Sequence, residues 1–270
     1  MQQGRVNFKN EFDLSGRTAV VTGGGGLLGY QFCKALCQNG ADVIVADVSS
    51  DAAAKTVTRL EEQGLAAQMV ELDVTSASQV VDFFTGLGKV DVLVNSAAID
   101  PKVANKLPTE STLEFAVEEF EAAIRVALVG TYLMTSAAIN LMRSEQKGSI
   151  VNISSTYGLN GPDQRIYGCE RELDYFKPAH YSASKAGVIG LTRYFAALCR
   201  GTDIRVNALA PGGVEHEQSE EFKQQYSSRT ILGRMARQNE INGALLFLSS
   251  EASTYVTGSV VSVDGGWTAW

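Results

Sequence analysis

Histidine, cysteine and proline are scarce in this sequence. Among its 270 residues there are 2 histidines, 4 cysteines and 5 prolines. The cysteines form no C-x-x-C pair, so we expect four reduced structural thiols at Cys33, Cys37, Cys169 and Cys199. Because no His/Cys/Asp cluster has the spacing of metal ligands, we predict no metal site.

Basic residues are also in the minority. The chain has 23 Lys and Arg against 30 Asp and Glu, a net charge of −7, whereas nucleic acids and anionic membranes require a basic face. No apolar run reaches about 18 residues, and the N-terminal segment lacks the pattern of a signal peptide. We therefore expect a cytoplasmic protein that acts on a small-molecule substrate, with no nucleic acid and no membrane as partner.

Short apolar runs rich in β-branched residues alternate with longer amphipathic segments. Strands that are apolar on both faces imply a parallel sheet covered on both sides, and right-handed crossovers make it doubly wound. We predict one α/β domain over residues 1–270, with a mostly seven-stranded parallel sheet of the Rossmann type. The predicted strands are Thr18–Thr22, Asp42–Asp47, Ala67–Leu72, Val90–Asn95, Ser149–Ser154, Arg205–Ala208 and Val260–Val263, and the predicted helices lie within Leu27–Asn39, Ala52–Gln63, Phe115–Arg143, Tyr181–Cys199 and Ile241–Leu248.

A glycine-rich turn joins the first predicted strand to the first helix. Gly23, Gly26 and Gly29 permit a tight turn and close approach of a pyrophosphate, which the N–H groups at the helix start would bind. Asp47 ends the second strand, where a carboxylate accepts hydrogen bonds from the adenosine ribose and repels a 2′-phosphate. No Arg or Lys lies in this turn or in residues 48–51, so we predict NAD rather than NADP.

Tyr181 and Lys185 are four residues apart in a predicted helix and therefore share one face. A free tyrosine titrates near ~10, and a neighbouring cation lowers that pKa. Such a pair can transfer a proton to or from a substrate oxygen as hydride moves. Ser155, at the end of the preceding strand, would hold the same oxygen, and we prefer it to the neighbouring Ser154.

These motifs, in this order, resemble the short-chain dehydrogenase/reductase family over residues 12–270. Ser155, Tyr181 and Lys185 match the family's Ser–Tyr–Lys set, and the resemblance implies that Lys185 also binds the nicotinamide ribose. It further implies a homodimer or homotetramer formed through the helices around 115–143 and 181–199. The predicted cofactor-binding residues are Gly23, Gly26, Leu27, Leu28, Asp47, Asp73, Val74, Asn95, Ala97, Lys185, Pro211, Gly212 and Val214, with Asp73 open between contacting adenine and capping the next helix.

Three features depart from the family pattern. The glycine spacing T-G-x-x-G-x-x-G is similar to the extended, nucleotide-sugar branch, although the chain has little room for that branch's substrate domain. Ala127 stands where the family has an Asn of the proton relay. Ser155 and Tyr181 are 26 residues apart, about twice the common spacing. We expect the inserted residues 161–180 to shape the substrate mouth and residues 213–228 to form a lid.

The leading hypothesis is an NAD-dependent enzyme that interconverts a secondary alcohol and a ketone on a polar, sugar-like substrate. The pattern G-P-D-x-x-I-Y is similar to members of bacterial surface-sugar pathways. Two alternatives stay open: a nucleotide-sugar epimerase or dehydratase with retained NAD, and a catalytically silent NAD-binding redox sensor. The tail 267–270 suggests a subunit contact or a buried anchor. The predicted substrate-binding residues are Tyr157, Arg165, Tyr167, His180 and His216.

Overall fold

A parallel β-sheet positions all the other elements of the fold. In the computed structural model, which describes residues 11–99, 117–167 and 177–270, seven parallel strands lie in the order β3-β2-β1-β4-β5-β6-β7. The predicted doubly wound, Rossmann-type α/β fold is confirmed. The strands are β1 (Thr18–Thr22), β2 (Asp42–Asp47), β3 (Ala67–Glu71), β4 (Val92–Asn95), β5 (Lys147–Ile153), β6 (Asp203–Pro211) and β7 (Val260–Val263).

Helices follow most strands, and their bounds agree with the predicted ones to within about three residues where a helix was predicted. A π-helical segment, Arg125–Gly130, joins the fourth and fifth helices, and short 3-10 turns span Thr156–Gly158, Gln164–Tyr167 and Glu251–Ser253. The α-helices are α1 (Leu27–Gln38), α2 (Ser50–Glu61), α3 (Ala77–Leu87), α4 (Val117–Ile124), α5 (Thr131–Met142), α6 (Ala179–Leu198), α7 (Glu220–Ser227) and α8 (Asn242–Ser249).

Helix α3 was not among the predicted helices, and its first turn bears on one of the two roles considered for Asp73. The Ser76 hydroxyl accepts the Gln79 N–H and caps the helix. The Asp73 carboxylate instead accepts both the N–H and the hydroxyl of Thr75, each at 2.8 Å. Asp73 therefore closes the turn before the helix and is not its cap.

Apolar layers cover both faces of the sheet. On one face, Phe32 and Leu36 of α1 and Leu245 of α8 pack against the strands and are fully buried. On the other, Met134 of α5 and Phe195 of α6 do the same with 0% and 2% exposure. The parallel strands are thus buried on both sides, which is why their sequences read as apolar runs rather than alternating ones.

The carboxyl ends of β1, β4 and β5 lie nearly level with one another, and the neighbouring β6 runs two residues further, to Pro211. Thr22 pairs with Asn95, Asn95 with Asn152, and Ile153 with Leu209. After β3 the chain returns to place β4 beside β1, which makes a topological switch point. Crevices at such points, beyond the carboxyl ends, are where ligands bind in open α/β sheets.

The segment Val117–Met142 is long and apolar enough to cross a membrane by length and composition alone, with a mean hydropathy of 1.5. In the fold, 44% of that apolar window is buried inside the protein. Tyr132 on α5, and Tyr194 and Leu198 on α6, are about half exposed or more. The absence of a membrane partner and the predicted homo-oligomer both stay predictions.

The turn between β1 and α1 depends on Gly29, whose added Cβ would lie 2.1 Å from the Gly23 carbonyl oxygen. We expect Gly29→Ala to lower the free energy of unfolding by about 3 kcal/mol, the upper end for overpacking, because backbone must move. Gly86→Ala in α3 is the control, since nothing lies within 4 Å of its Cβ. Urea unfolding measures both, and equal stability of the two variants would contradict the packing argument.

Candidate active site

A cleft of about 560 Å³ opens beyond the carboxyl ends of the strands. The turn after β1 forms one end of the cleft. The turn after β5, helix α6 and the segment after β6 form the other. The described residues that line it are Gly23, Gly26, Leu27, Leu28, Gly29, Asp47, Ser96, Ala98, Ile153, Ser154, Ser155, Thr156, Tyr157, Tyr167, Lys177, Tyr181, Lys185, Pro211, Gly212, Gly213, Val214, His216, Gln218, Phe222, Tyr226 and Met235.

The three predicted catalytic residues all line this cleft. Tyr181 and Lys185 lie one turn apart on α6, with the Lys185 Nζ 5.9 Å from the centroid of the Tyr181 ring. Lys185 is 5% exposed, and its Nζ donates a 2.8 Å hydrogen bond to the Ile153 carbonyl at the end of β5. This bond fixes the ammonium between the strand end and the phenol.

Ser154 and Ser155 have different partners, which separates the two candidates. The Ser154 hydroxyl donates to the Lys185 carbonyl at 2.8 Å and so ties β5 to α6. The Ser155 hydroxyl accepts the Tyr157 N–H at 3.2 Å. That role uses a lone pair and leaves the Ser155 proton for a substrate oxygen, so the geometry favours Ser155.

Gly158 lets the turn after β5 lie close to helix α6. An added Cβ at Gly158 would lie 2.6 Å from the Ser154 hydroxyl oxygen and 2.7 Å from the Lys185 carbonyl oxygen. The turn Thr156–Gly158 therefore packs directly against the backbone of helix α6, which carries Tyr181 and Lys185. Any larger residue at 158 would displace Lys185 relative to Ser155.

The glycine turn has the form of a cradle for a dinucleotide. Gly23 adopts φ +63°, and its added Cβ would lie 2.8 Å from the Ala97 Cα, so the turn is pressed against the end of β4. At Gly26, by contrast, an added Cβ would meet only the Gly23 carbonyl oxygen, at 3.3 Å. Space in front of Gly26 and the start of α1 is thus open to the cleft, which fits a bound pyrophosphate.

Most of the predicted cofactor residues line the cleft, but four do not. Asp73 and Val74 follow β3, where Val74 is 7% exposed and packs near Gly130. Asn95 is buried, and its amide nitrogen donates to Asn152 on β5 and to Thr135 on α5. The Ala97 N–H donates to Thr22. Their cofactor contacts stay predictions, while Ser96 and Ala98, which belong to the same segment after β4, line the cleft.

Ala127, the position of the missing relay Asn, lies in the π-helical segment and is 4% exposed. Its carbonyl accepts the Thr131 hydroxyl at 2.8 Å. The added Cβ of Gly187 would lie 2.8 Å from the Leu128 side chain, so this segment packs closely on the catalytic helix. π-bulges of this kind occur often at functional sites.

Aromatic side chains form a wall at the end of the cleft where Ser155 and Tyr181 lie. The Tyr157 and Tyr167 hydroxyls share a 2.8 Å hydrogen bond, and Tyr226 of α7 stacks on Trp267 with centroids 4.4 Å apart. Burial raises the pKa of Tyr226 to about 12 and raises the pKa values of Tyr157 and Tyr167 further. All three phenols therefore stay protonated and serve as hydrogen-bonding groups rather than as bases.

The predicted lid, residues 213–228, contacts the same aromatic residues. The Gly213 N–H, just after β6, donates to the Tyr226 hydroxyl, and an added Cβ at Gly213 would lie 2.5 Å from that ring. Trp267 is 8% exposed and Trp270 is 76% exposed. Two interpretations were given for the tail, a subunit contact or a buried anchor. Trp267 is a buried anchor, because it stacks on Tyr226 of α7.

The predicted substrate residues divide between cleft and surface. Tyr157, Tyr167 and His216 line the cleft. The Arg165 side chain is 71% exposed and pairs with Asp163 at 2.8 Å. His180 is buried against Phe120 of α4, with ring centroids 6.4 Å apart, and burial lowers its pKa. Neither Arg165 nor His180 is among the described residues of the cleft, so their substrate roles stay predictions.

The sequence analysis did not name several residues of the cleft individually, among them Lys177, Gln218 and Tyr226. Gln218 accepts the His216 N–H and donates to the Val214 carbonyl, which shapes the loop after β6. Lys177 lies near the end of the predicted insertion, two residues before α6 begins. That position in the sequence was the one signal that could have placed it at the substrate mouth. Tyr226 and Trp267 come from distant parts of the chain, and no local pattern relates them.

A second cavity, of about 200 Å³, lies at the opposite edge of the sheet. Arg17 pairs there with Asp91 at 3.2 Å and with Glu251 at 2.9 Å, and Lys147 pairs with Glu251 at 2.8 Å. These charges are mutually compensated at the amino ends of the strands, so we interpret the cluster as structural. Among the described residues, no group of His, Cys, Asp or Glu is placed to hold a metal ion.

Comparison with known proteins agrees with this geometry. A family model described as enoyl-(acyl carrier protein) reductase matches residues 26–268. The 3-oxoacyl-(acyl-carrier-protein) reductase of Thermotoga maritima is 33% identical over 264 residues, which are 94% of this chain and 98% of that protein.

Solved structures give the same result. A gluconate 5-dehydrogenase from Burkholderia cenocepacia, in complex with NADP and tartrate, superposes with a TM-score of 0.83 at 30% identity, over 98% of this chain and 100% of that one. A short-chain type dehydrogenase/reductase from Mycobacterium marinum superposes with a TM-score of 0.82 at 30% identity, over the same shares.

Fold and site together define an oxidoreductase that uses a nicotinamide cofactor. The chain belongs to the short-chain dehydrogenase/reductase family. The family resemblance inferred from the Ser155, Tyr181 and Lys185 pattern is thereby confirmed.

The close contact at Gly158 leads to a prediction. We expect Gly158→Ala to lower kcat about 100-fold, because displacing a catalytic group by about 1 Å has an effect of this size. Gly161→Ala is the matched control, since nothing lies within 4 Å of its Cβ. Steady-state kinetics of both variants tests this, and similar kcat values would contradict it.

Proposed function

We propose that this protein is an NAD-dependent oxidoreductase that interconverts a secondary alcohol and a ketone on a polar, sugar-like substrate. The observation that carries the proposal is the placement of Ser155, Tyr181 and Lys185 in one cleft with the glycine turn at its other end. Solved relatives described as gluconate dehydrogenases support a polyhydroxylated substrate. A cleft lined by phenols and amides offers hydroxyl groups the partners they need.

The protein's own groups handle the proton and the substrate oxygen. The bound nicotinamide would supply or accept the hydride at this end of the cleft. Tyr181 transfers the proton to or from the substrate oxygen, and the Ser155 hydroxyl donates to that oxygen as its charge changes. Lys185, held by the Ile153 carbonyl, places a positive charge beside the phenol, which favours the phenolate.

Asp47 supports NAD over NADP. Its carboxylate lies at the adenosine end of the cleft, accepts the Gly25 N–H at 3.0 Å and accepts the Ser49 N–H at 3.0 Å. A 2′-phosphate placed there would meet this negative charge with no Arg or Lys in residues 23–29 or 48–51 to offset it. The Burkholderia relative was solved with NADP, so cofactor choice is a property of this chain that needs its own test.

The two alternative functions have less support. An epimerase or dehydratase of the extended branch would need a substrate domain, whereas this chain matches the Thermotoga reductase over 98% of that protein's length. A silent redox sensor would leave the Ser155, Tyr181 and Lys185 arrangement without a role. Both alternatives predict no net reduction of NAD by a substrate.

The role of Tyr181 is tested by Tyr181→Phe. We expect kcat to fall at least about 100-fold while NAD still binds, because the variant keeps the ring and loses the transferable proton. Reduced-nicotinamide absorbance with polyols and sugar acids measures turnover, and thermal shift measures NAD binding. Tyr255→Phe, at a fully exposed tyrosine, is the control. Retained turnover in Tyr181→Phe would disprove the mechanism.

Cofactor choice is tested at both ends of β2. We expect the wild type to show a kcat/KM for NAD at least about 100-fold above that for NADP, and Asp47→Asn to reduce that ratio at least tenfold by removing the repelling charge. Asp42→Asn, at the exposed start of the same strand, removes an equal charge and should change nothing. A wild type that prefers NADP would refute the role given to Asp47.

A further inference from the structure

Lys177 occupies a place in the cleft that the proposed mechanism does not use. Its Nζ lies 4.0 Å from the centroid of the Tyr181 ring, nearer than the 5.9 Å of the Lys185 Nζ. Lys177 lines the same cleft as Ser155 and Tyr181 and comes directly before the N-cap of α6, Pro178. A second ammonium group is thus placed against the phenol that transfers the proton.

The backbone of Lys177 is fixed by one side chain. The Gln164 amide nitrogen donates to the Lys177 carbonyl at 3.0 Å, and the Gln164 amide oxygen accepts the Lys177 N–H at 2.9 Å. Gln164 begins the 3-10 turn that carries Tyr167 into the cleft. The two ends of the insertion are therefore joined at the substrate mouth. The backbone that carries the Lys177 ammonium is held in place by this pair of hydrogen bonds.

The charges of the cleft are distributed unevenly. Among its described lining residues, Asp47 is the one carboxylate, and it follows β2. Ser155 follows β5, which is three strands away in the order β2-β1-β4-β5, or about 14 Å at the usual strand spacing. That distance exceeds the Debye length of about 8 Å at physiological salt. Among the described lining residues, Lys177 and Lys185 are the charged groups near Ser155.

We propose that Lys177 determines substrate specificity by binding a carboxylate of the substrate, so that the substrate is a polyhydroxy carboxylic acid. The Lys177 ammonium would hold the carboxylate while Ser155 and Tyr181 hold the reacting hydroxyl or ketone on a nearby carbon. A cation on the ring face and a hydroxyl at the ring edge then fix the substrate at two points. This inference rests on the proposed function and adds the chemical class of its substrate.

The test compares an acid with its uncharged analogue. Gluconate and gluconamide share their hydroxyl groups and differ in the carboxylate charge. In NAD-loaded enzyme, we expect Lys177→Gln to raise the KM for gluconate about 10- to 100-fold, the range for hydrogen bonds to charged groups, with little change for gluconamide. Lys177→Arg should restore most of the affinity. Lys89→Gln, an exposed lysine at the opposite edge of the sheet, should behave as wild type.

A binding measurement gives a second readout. Tartrate, a short dicarboxylic acid, should stabilise NAD-loaded wild type and Lys177→Arg in a thermal-shift titration, and should lose that effect in Lys177→Gln. This readout requires no turnover. It applies equally to gluconate if that acid binds without reacting.

The contrary outcomes are distinct. Equal losses on gluconate and gluconamide, with a lower kcat and a shifted pH profile, would mean that Lys177 acts on Tyr181 and would overturn the inference. Failure of both acids to bind, with turnover of neutral polyols, would also overturn it while the proposed function stands. Absence of any NAD-linked turnover across acids, amides and polyols would count against the proposed function itself.

Discussion

The register of β1, β4, β5 and β6 is the constraint on which the site depends. Buried amides reinforce it: the Asn95 amide nitrogen donates to Asn152, and the Asn152 amide nitrogen donates to Thr192 of α6. A buried amide gains from such bonds and loses heavily if they are broken. The same bonds join the sheet to the catalytic helix, so the strand ends and Tyr181 are held as one unit.

Backbone contacts carry that alignment to the reacting groups. Ser154 bonds to the Lys185 carbonyl, the Lys185 Nζ bonds to the Ile153 carbonyl, and Gly158 leaves no room for slippage between them. Lys185 is thus tied to the end of β5 through both its backbone carbonyl and its side-chain ammonium. Ser155 follows directly after Ser154, so these contacts help to set its position, together with the hydrogen bond that its hydroxyl accepts from the Tyr157 N–H.

Local sequence patterns predicted what depends on neighbours along the chain. Apolar runs gave the strands, the spacing of Tyr181 and Lys185 gave one helix face, and the glycine turn followed from its place between a strand and a helix. Local patterns did not settle which face a side chain takes or which distant residue it contacts. Ser96 and Ala98 line the cleft while Asn95 and Ala97 face the sheet and the glycine turn, an alternation that extended backbone imposes. The contact of Tyr226 with Trp267 joins residues 41 positions apart, which no periodicity reveals.

The predicted substrate mouth and the predicted lid are also joined to each other. Arg229, just after α7, pairs with Asp163 of the insertion at 2.6 Å, and the rings of Phe222 and Tyr167 lie 5.5 Å apart. Gln164, next to Asp163, holds Lys177. Movement of the lid would therefore pull on the turn that sets the position of the Lys177 ammonium. Because the Tyr226 hydroxyl accepts the Gly213 N–H just after β6, the same short helix α7 contacts both the insertion and the segment after β6.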